Sequence, residues 1–285
     1  MRELPLCEDP RIAALQGERW IKTRLHEHAI ALIENLMHAP PRHGPHCLMI
    51  VGDASMGKTA IARTLLKRYP PVRDAKAEHD VVRILYVTVP EGPDLMALLA
   101  RMLRRLGHPL PPSRRRLFEL REQVAALCEK LGVRIIIIDE IQHLLAGGPQ
   151  QQEKFRNLIK DLSNDLKVPI VAMGVESARR ALFGDLQLRR RFRLLRLSTW
   201  SYDEDFLNLL VTLERVIALA KPSHLTQSVI ARRILEKTDG LTGLIIELVT
   251  EAAIHAIRDG SERITLETLD KCAYIDPILP GSLDF

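Results

Sequence analysis

The sequence predicts an α/β protein: a three-layer αβα core around a parallel sheet, followed by a separate helical unit. Three observations carry that expectation. A Gly-rich loop at residues 52–59 links an apolar strand-like segment to a helix-like one. Apolar runs and amphipathic stretches then alternate to about residue 200. Beyond Ser201 the strand signal disappears and helical periodicity alone remains.

The elements follow in order. Leu25, Ala29, Leu32, Ile33 and Leu36 recur at helical spacing, which predicts a helix over 23–38 with Thr23 as N-cap, ended by Ala39-Pro40-Pro41. The first core strand is expected at 46–51 and a second over Val81–Val89, bounded by Pro90 and Gly92-Pro93. Helices are expected from Asp94 to Leu106 and, capped by Ser113, to Leu131. Val133–Ile138 is apolar apart from Arg134, as suits a strand buried on both faces. A helix over 150–166 and strands at 168–173 and 194–197 complete the core. Helices at 203–220, 226–238, 243–258 and 265–275 form the C-terminal unit. The expected division is an N-terminal helical extension (1–45), a core (46–200) and a C-terminal helical unit (201–285).

At 285 residues, 46% hydrophobic and 27% charged, the composition is that of an ordinary soluble globular chain. Its apolar runs are too short to span a bilayer, and the N-terminus lacks the apolar core of a secretory signal. Cys7, Cys47, Cys128 and Cys272 are scattered, which points to reduced thiols in a cytoplasmic protein. His26, His28, His38, His43 and His46 have no carboxylate or cysteine at ligand spacing, so no metal site is read from them. Trp20 and Trp200 read as packing residues.

The net charge of +5 is unevenly spread. Residues 101–121 hold seven arginines against Glu119 alone, and residues 189–196 hold five arginines and no acid. Outside these stretches 29 basic residues face 35 acidic ones, once those twelve arginines and one acid are set aside from 41 and 36. Local basicity of this kind implies an anionic partner or ligand.

Gly52-Asp53-Ala54-Ser55-Met56-Gly57-Lys58-Thr59 is a complete phosphate loop. Its glycines let successive N–H groups face phosphate oxygens, with Ala60 in the following helix's first turn. Lys58 is placed for the β/γ-phosphates and the Thr59 hydroxyl for Mg²⁺. Asp139 ends the apolar strand where a magnesium-holding carboxylate belongs, and Glu140 is placed to polarise an attacking water. Arg190 and Arg191, before Phe192, have three readings: a finger completing a neighbour's site, a DNA contact, or a solvated basic turn. Arg101, Arg104, Arg105, Arg114, Arg115 and Arg116 read either as phosphodiester contacts or as a solvated helix face. Scarce acidic partners and absent aromatic interleaving favour tracking of a duplex backbone.

Together the phosphate loop, Ile-Ile-Ile-Ile-Asp-Glu, Arg-Arg-Phe and the helical C-terminal unit resemble an AAA+ ATPase with its C-terminal lid. More narrowly, the chain is similar to the TniB/TnsC group of transposition ATPases over about residues 20–275. That likeness rests on Leu-Met-Ile-Val-Gly-Asp-Ala-Ser-Met-Gly-Lys-Thr, Ile-Ile-Ile-Ile-Asp-Glu-Ile-Gln-His-Leu, Val-Pro-Ile-Val-Ala-Met-Gly and Glu-Ala-Ala-Ile-His-Ala-Ile-Arg-Asp-Gly. The resemblance implies a bacterial, cytoplasmic ATPase using ATP and Mg²⁺, nucleoid-associated when on DNA, that assembles as a ring or filament on a duplex. It implies a DDE transposase of the TniA/TnsB kind as partner, with a target-selection protein as a further one. Within the resemblance Arg114–Arg116 are the favoured DNA contacts, and Arg190 or Arg191 the favoured finger. A helicase loader or replication initiator shares the same generic motifs, and a nucleotide-bound scaffold is the non-enzyme alternative. Two positions depart from the pattern: Gly174-Val175 stands where a polar sensor is usual, and Leu244 where a sensor arginine is common. Slow hydrolysis is the expectation from both.

Overall fold

The computed structural model describes residues 9–17, 21, 23–73, 80–108 and 116–274. They form two compact units, residues 25–197 and the described residues of 9–24 with 198–274. Helix α1 (Pro10–Gln16) belongs to the second unit, and α2 (Arg24–His38) opens the first. The first unit then contains β1 (Cys47–Val51), α3 (Lys58–Arg68), β2 (Val72–Arg73), β3 (Asp80–Val81), β4 (Ile84–Thr88), α4 (Leu95–Arg105) and α5 (Leu117–Lys130). It continues through β5 (Ile135–Asp139), α6 (Gln142–Leu145), α7 (Pro149–Leu166), β6 (Ile170–Gly174), α8 (Glu176–Leu182), α9 (Leu186–Arg191) and β7 (Phe192–Arg196).

The main sheet has the order β4-β5-β6-β1-β7 and every pairing in it is parallel. All residues of β1, β5 and β6 are buried, the condition of strands covered on both faces. Each such Ile or Leu contributes about 1.5–3 kcal/mol by leaving water. The order places β6 between β1 and β5. The C-terminal ends of these three strands therefore lie side by side, where ligands of open α/β sheets bind.

Two local expectations need correction. The strand expected over 81–89 is two pieces: Asp80–Val81 pairs antiparallel with Val72–Arg73, and β4 starts only at Ile84. Between them the Val82 N–H donates to the Leu131 carbonyl at 2.8 Å, which takes that residue out of the main ladder. Helix α5 starts at Leu117, where the Arg116 N–H donates to Glu119 Oε2 at 3.3 Å; Ser113, expected as its cap, lies outside the described residues. Helices α6, α8 and α9 are short and carry too few turns for periodicity to reveal them.

The second unit adds α10 (Glu204–Ile217), α11 (Ser228–Thr238), α12 (Thr242–Arg258) and α13 (Leu266–Lys271) to α1. Phe206, Leu210, Ile234, Ile245, Leu248, Val249 and Leu269 make its core. Gly240 has φ +68°, and a Cβ there would lie 2.3 Å from the Trp200 carbonyl oxygen, so glycine is required between α11 and α12. Cys47, Cys128 and Cys272 are free and buried, and burial pushes the Cys128 thiol up to about 12. Among the described residues no single helix is long and apolar enough to cross a membrane.

Candidate functional site

The phosphate loop leaves β1 at Gly52, whose N–H donates to the Gly174 carbonyl at 3.2 Å. Asp53, Ala54 and Ser55 are exposed, Met56 is buried, and Ser55 and Gly57 turn left-handed with φ of 60° and 83°. Gly57 admits no side chain, because a Cβ would stand 2.7 Å from His26 Nε2. Lys58 begins α3 and is buried, its Nζ donating to the Gly52 carbonyl at 2.7 Å and the Asp53 carbonyl at 2.8 Å. Burial lowers the Lys58 pKa, opposed by the charges of Glu140, Asp139 and Asp53. Thr59 and Ala60 follow in the first turn of α3, half-buried.

Five buried residues of β5 carry Asp139 to the same end of the sheet. The Thr59 hydroxyl donates to Asp139 Oδ2 at 2.7 Å, joining residues eighty positions apart. The Tyr86 hydroxyl donates to the same oxygen at 3.0 Å, and the Thr88 hydroxyl donates to Tyr86 at 3.2 Å. Burial first, with the Asp139 charge adding to it, raises the Tyr86 pKa and keeps the phenol a donor. Asp139 Oδ1 accepts the Glu140 N–H at 3.0 Å, and Glu140 itself has φ 59°. The Gln142 amide nitrogen donates to Glu140 Oε2.

The hydroxyl of Thr59 and the carboxylates of Asp139 and Glu140 form an all-oxygen donor set, which fits magnesium. Among the described residues no group of three or more His, Cys, Asp or Glu side chains could hold a metal ion. A magnesium ion here would therefore share its oxygens with nucleotide phosphates and water.

The arginines fall in separate places. Arg101, Arg104 and Arg105 are exposed on α4, and with Val87 and Thr88 they line an open depression of about 430 Å³. Arg101 also donates to the Thr88 carbonyl at 3.0 Å. Arg116 is exposed at the start of α5, whereas Arg114 and Arg115 lie outside the described residues. Arg189–Arg191 form the last turn of α9 rather than a loop. Arg190 is exposed, while Arg191 donates to Asn164 Oδ1 at 2.9 Å and packs against Gly44.

Four residues of this neighbourhood escaped the sequence reading: His26, Tyr86, Thr88 and Gln142. His26 and Tyr86 carry no pattern of their own, since a histidine on an amphipathic helix and a tyrosine in a strand both read as packing. Gln142 follows the Asp-Glu pair by two residues, and that proximity was the one available signal. Gly174 ends β6 without a side chain, and Leu244 is buried on α12 within the second unit.

A parallel sheet of this order, with a phosphate loop after β1 and an Asp-Glu pair at the end of β5, defines the P-loop fold of the AAA+ class. The chain belongs to the bacterial TniB family, whose description, bacterial TniB protein, matches residues 11–202. The fold is similar to the Aeropyrum pernix ORC2 protein, solved as ADPNP–ADP complexes. Identity there is 17%, coverage 93% of this chain and 70% of that one, and the TM-score 0.66. It is also similar to the Aeropyrum pernix ORC1 protein in complex with DNA (18% identity, 92% and 68% coverage, TM-score 0.64). Domain III of the Thermotoga maritima replication initiation protein DnaA matches with 17% identity, 88% and 91% coverage and a TM-score of 0.54. A search against curated proteins returns no match.

Proposed function

We propose that this chain is an ATP-dependent DNA-binding regulator of transposition. In this reading it assembles on duplex DNA, marks a target and recruits or activates a DDE transposase, and hydrolysis resets the assembly. The observation that carries the reading is the Thr59–Asp139 hydrogen bond, which ties the phosphate loop to the carboxylates of β5. Membership of the TniB family supports the transposition role. Residues 46–200 act as the nucleotide-binding core and 201–285 as a lid. The setting is the bacterial cytoplasm, with nucleoid association when DNA is bound.

The backbone N–H groups of residues 53–60 and the N-terminus of α3 receive the β- and γ-phosphates. Lys58, which now donates to two loop carbonyls, exchanges them for phosphate oxygens. Thr59 and Asp139 would hold magnesium, which when bound neutralises charge on the terminal phosphates. Glu140 accepts the proton of the attacking water. Arg190 is the better finger, because Arg191 is already held by Asn164 of its own chain. The depression lined by Arg101, Arg104 and Arg105 takes phosphodiester groups. Arg114–Arg116 are phosphodiester contacts in the same reading.

Duplex binding measured at fixed salt with ATP and with ADP tests the proposal. ATP but not ADP supports binding, Lys58→Ala abolishes it and Glu140→Gln prolongs it. Binding indifferent to nucleotide overturns it. A replication-initiator reading is favoured by the fold likeness to ORC and DnaA proteins. Co-purification with a replicative helicase rather than a transposase decides for it.

A further inference from the structure

Helix α9 is six residues long, too short to hold itself together in water, and it ends in three arginines. Its order comes from outside. Asp185 caps it, Oδ1 accepting the Gln187 and Leu188 N–H groups at 2.9 and 3.0 Å, and Leu188 is buried. Further support comes from one face of α7, where Arg156, Lys160 and Asn164 stand four residues apart and so project side by side. Arg156 donates to the Ala181 carbonyl at 3.1 Å, Lys160 donates to Asp185 Oδ2 at 2.5 Å, and Asn164 Oδ1 accepts from Arg191 at 2.9 Å. These three rungs fasten the end of α8 and both ends of α9 to a single long helix.

The outer face of α9 is bare. Leu186 is 69% exposed, and Arg190, one helical turn further on and on the same side, is exposed as well. A lone exposed leucine is ordinary. Here it accompanies a cation on a helix clamped at both ends. A phosphodiester backbone gains nothing from a leucine, whereas a protein surface that buries it does. The same chain supplies the complementary charge. Glu140, Asp139 and Asp53 all act on Lys58, so one lysine faces three carboxylates even before a triphosphate enters the site. An arginine from another copy meets that excess of negative charge.

We propose that α9 is a docking arm for a second copy of this chain. Leu186 is buried against the partner, Arg190 enters the partner's phosphate site, and the rungs from α7 fix the arm before the copies meet. Leu186 is the anchor, and Lys160 is a positioning residue acting through Asp185. The inference rests on the reading of Arg190 as the finger.

Two measurements on the full-length protein test this, each over a range of protein concentrations. One is sedimentation with a non-hydrolysable ATP analogue, with and without a short duplex; the other is steady-state ATP turnover. Leu186→Ser weakens self-association about tenfold, the low end of what burying a leucine contributes, at an unchanged melting temperature. Its turnover recovers as protein concentration rises. Lys160→Met instead lowers kcat about three- to tenfold at saturating protein concentration, the size of one net hydrogen bond, with KM for ATP unchanged. Lys160→Arg restores most of that loss. Asp185→Asn keeps the cap and drops the charge, so it gives the same loss if the methionine variant does not fold. The double variant falls no further, since both changes break one interaction.

Wild-type self-association in Leu186→Ser overturns the proposal, and weaker duplex binding by that protein then makes the arm a DNA contact. A wild-type kcat in both Lys160→Met and Asp185→Asn overturns it too. Arg190→Ala separates the two readings. Turnover that survives Arg190→Ala removes the finger assignment and this inference with it. Its loss, alongside wild-type self-association in Leu186→Ser, removes this inference alone.

Discussion

His26 Nε2 donates to the Met56 carbonyl across 2.9 Å, and the ring lies against Gly57 so closely that no side chain fits there. A trans peptide directs its C=O and N–H to opposite sides. Holding the Met56 carbonyl on His26 therefore aims the Gly57 N–H away from the ring, toward the inside of the loop. Helix α2 thus sets the direction of that N–H, one of the donors proposed to meet phosphate.

His26→Ala removes that donor and opens a void behind the glycine. The expected loss of stability is about 0.5–1.5 kcal/mol, the net worth of one intramolecular hydrogen bond. Nucleotide affinity falls with it, because the peptide is free to turn. His26→Gln restores a donor and recovers part of the affinity. Thermal melting and titration with a fluorescent ATP analogue check both, and an affinity equal to wild type in the alanine variant refutes the orientation argument.

The same histidine makes stability depend on pH. Burial lowers its pKa below the ordinary 6.5, opposed by the bond to Met56. Below 6.5 the unfolded chain therefore binds more protons than the folded one. The contribution is complete above 6.5 and is lost as pH falls through the depressed folded value. Wild type loses more melting temperature than His26→Gln between about pH 7.5 and about pH 5.5, the range in which histidine titrates. Equal losses would contradict it.

Tyr86→Phe removes one of two hydroxyl donors to Asp139 Oδ2 and leaves the aromatic packing in place. Partners of a metal-holding carboxylate typically matter about 10–100-fold in metal affinity. The magnesium concentration for half-maximal ATP turnover rises by about tenfold on that scale. Magnesium-dependent ADP binding by calorimetry shifts in parallel, with little change in melting temperature. Thr88→Val, which acts only through Tyr86, gives a smaller shift in the same direction.

What could be read from the chain and what could not divide along physical lines. The phosphate loop is local: one run of consecutive backbone groups and one lysine make it, so its pattern survives in the sequence. Asp139 and Glu140 were legible because β5 is buried on both faces and announces its own end. Helices α10 to α13 were legible from periodicity alone, whereas α1 was not expected from it. His26, Tyr86 and Gln142 act through contacts made by folding, 30, 53 and 2 residues from their partners. None has a spacing that forces its role. The division of 81–89 into two pieces depended on a bond to Leu131, again a tertiary contact.

The basic depression on α4 carries a quantitative expectation. Each phosphate contact contributes about 0.9 to the slope of log affinity against log salt. Removing Arg101, Arg104 and Arg105 together lowers that slope by about 2.7 if each meets one phosphate, and weakens binding on every sequence alike. Anisotropy titrations on two unrelated duplexes at several salt concentrations read both quantities. An unchanged slope removes the depression from the DNA interface. Because Arg101 also holds the Thr88 carbonyl, the Arg104/Arg105 double variant separates charge from structure.

In the proposed function Arg190 completes a neighbour's site. Arg190 is exposed, whereas Arg191 is bound to Asn164, so the two variants differ in kind. Arg191→Ala lowers the melting temperature, while Arg190→Ala leaves it unchanged and abolishes turnover. An arginine acting in trans has a further signature. Lys58→Ala protein has an intact Arg190 and a dead loop, and Arg190→Ala protein has the reverse. Neither turns over ATP alone. Mixed, they form interfaces in which a sound loop meets a sound finger, and turnover returns at a fraction of the wild-type rate. Activity that stays at zero across all mixing ratios, with mixed oligomers demonstrated by cross-linking, excludes Arg190 as that finger.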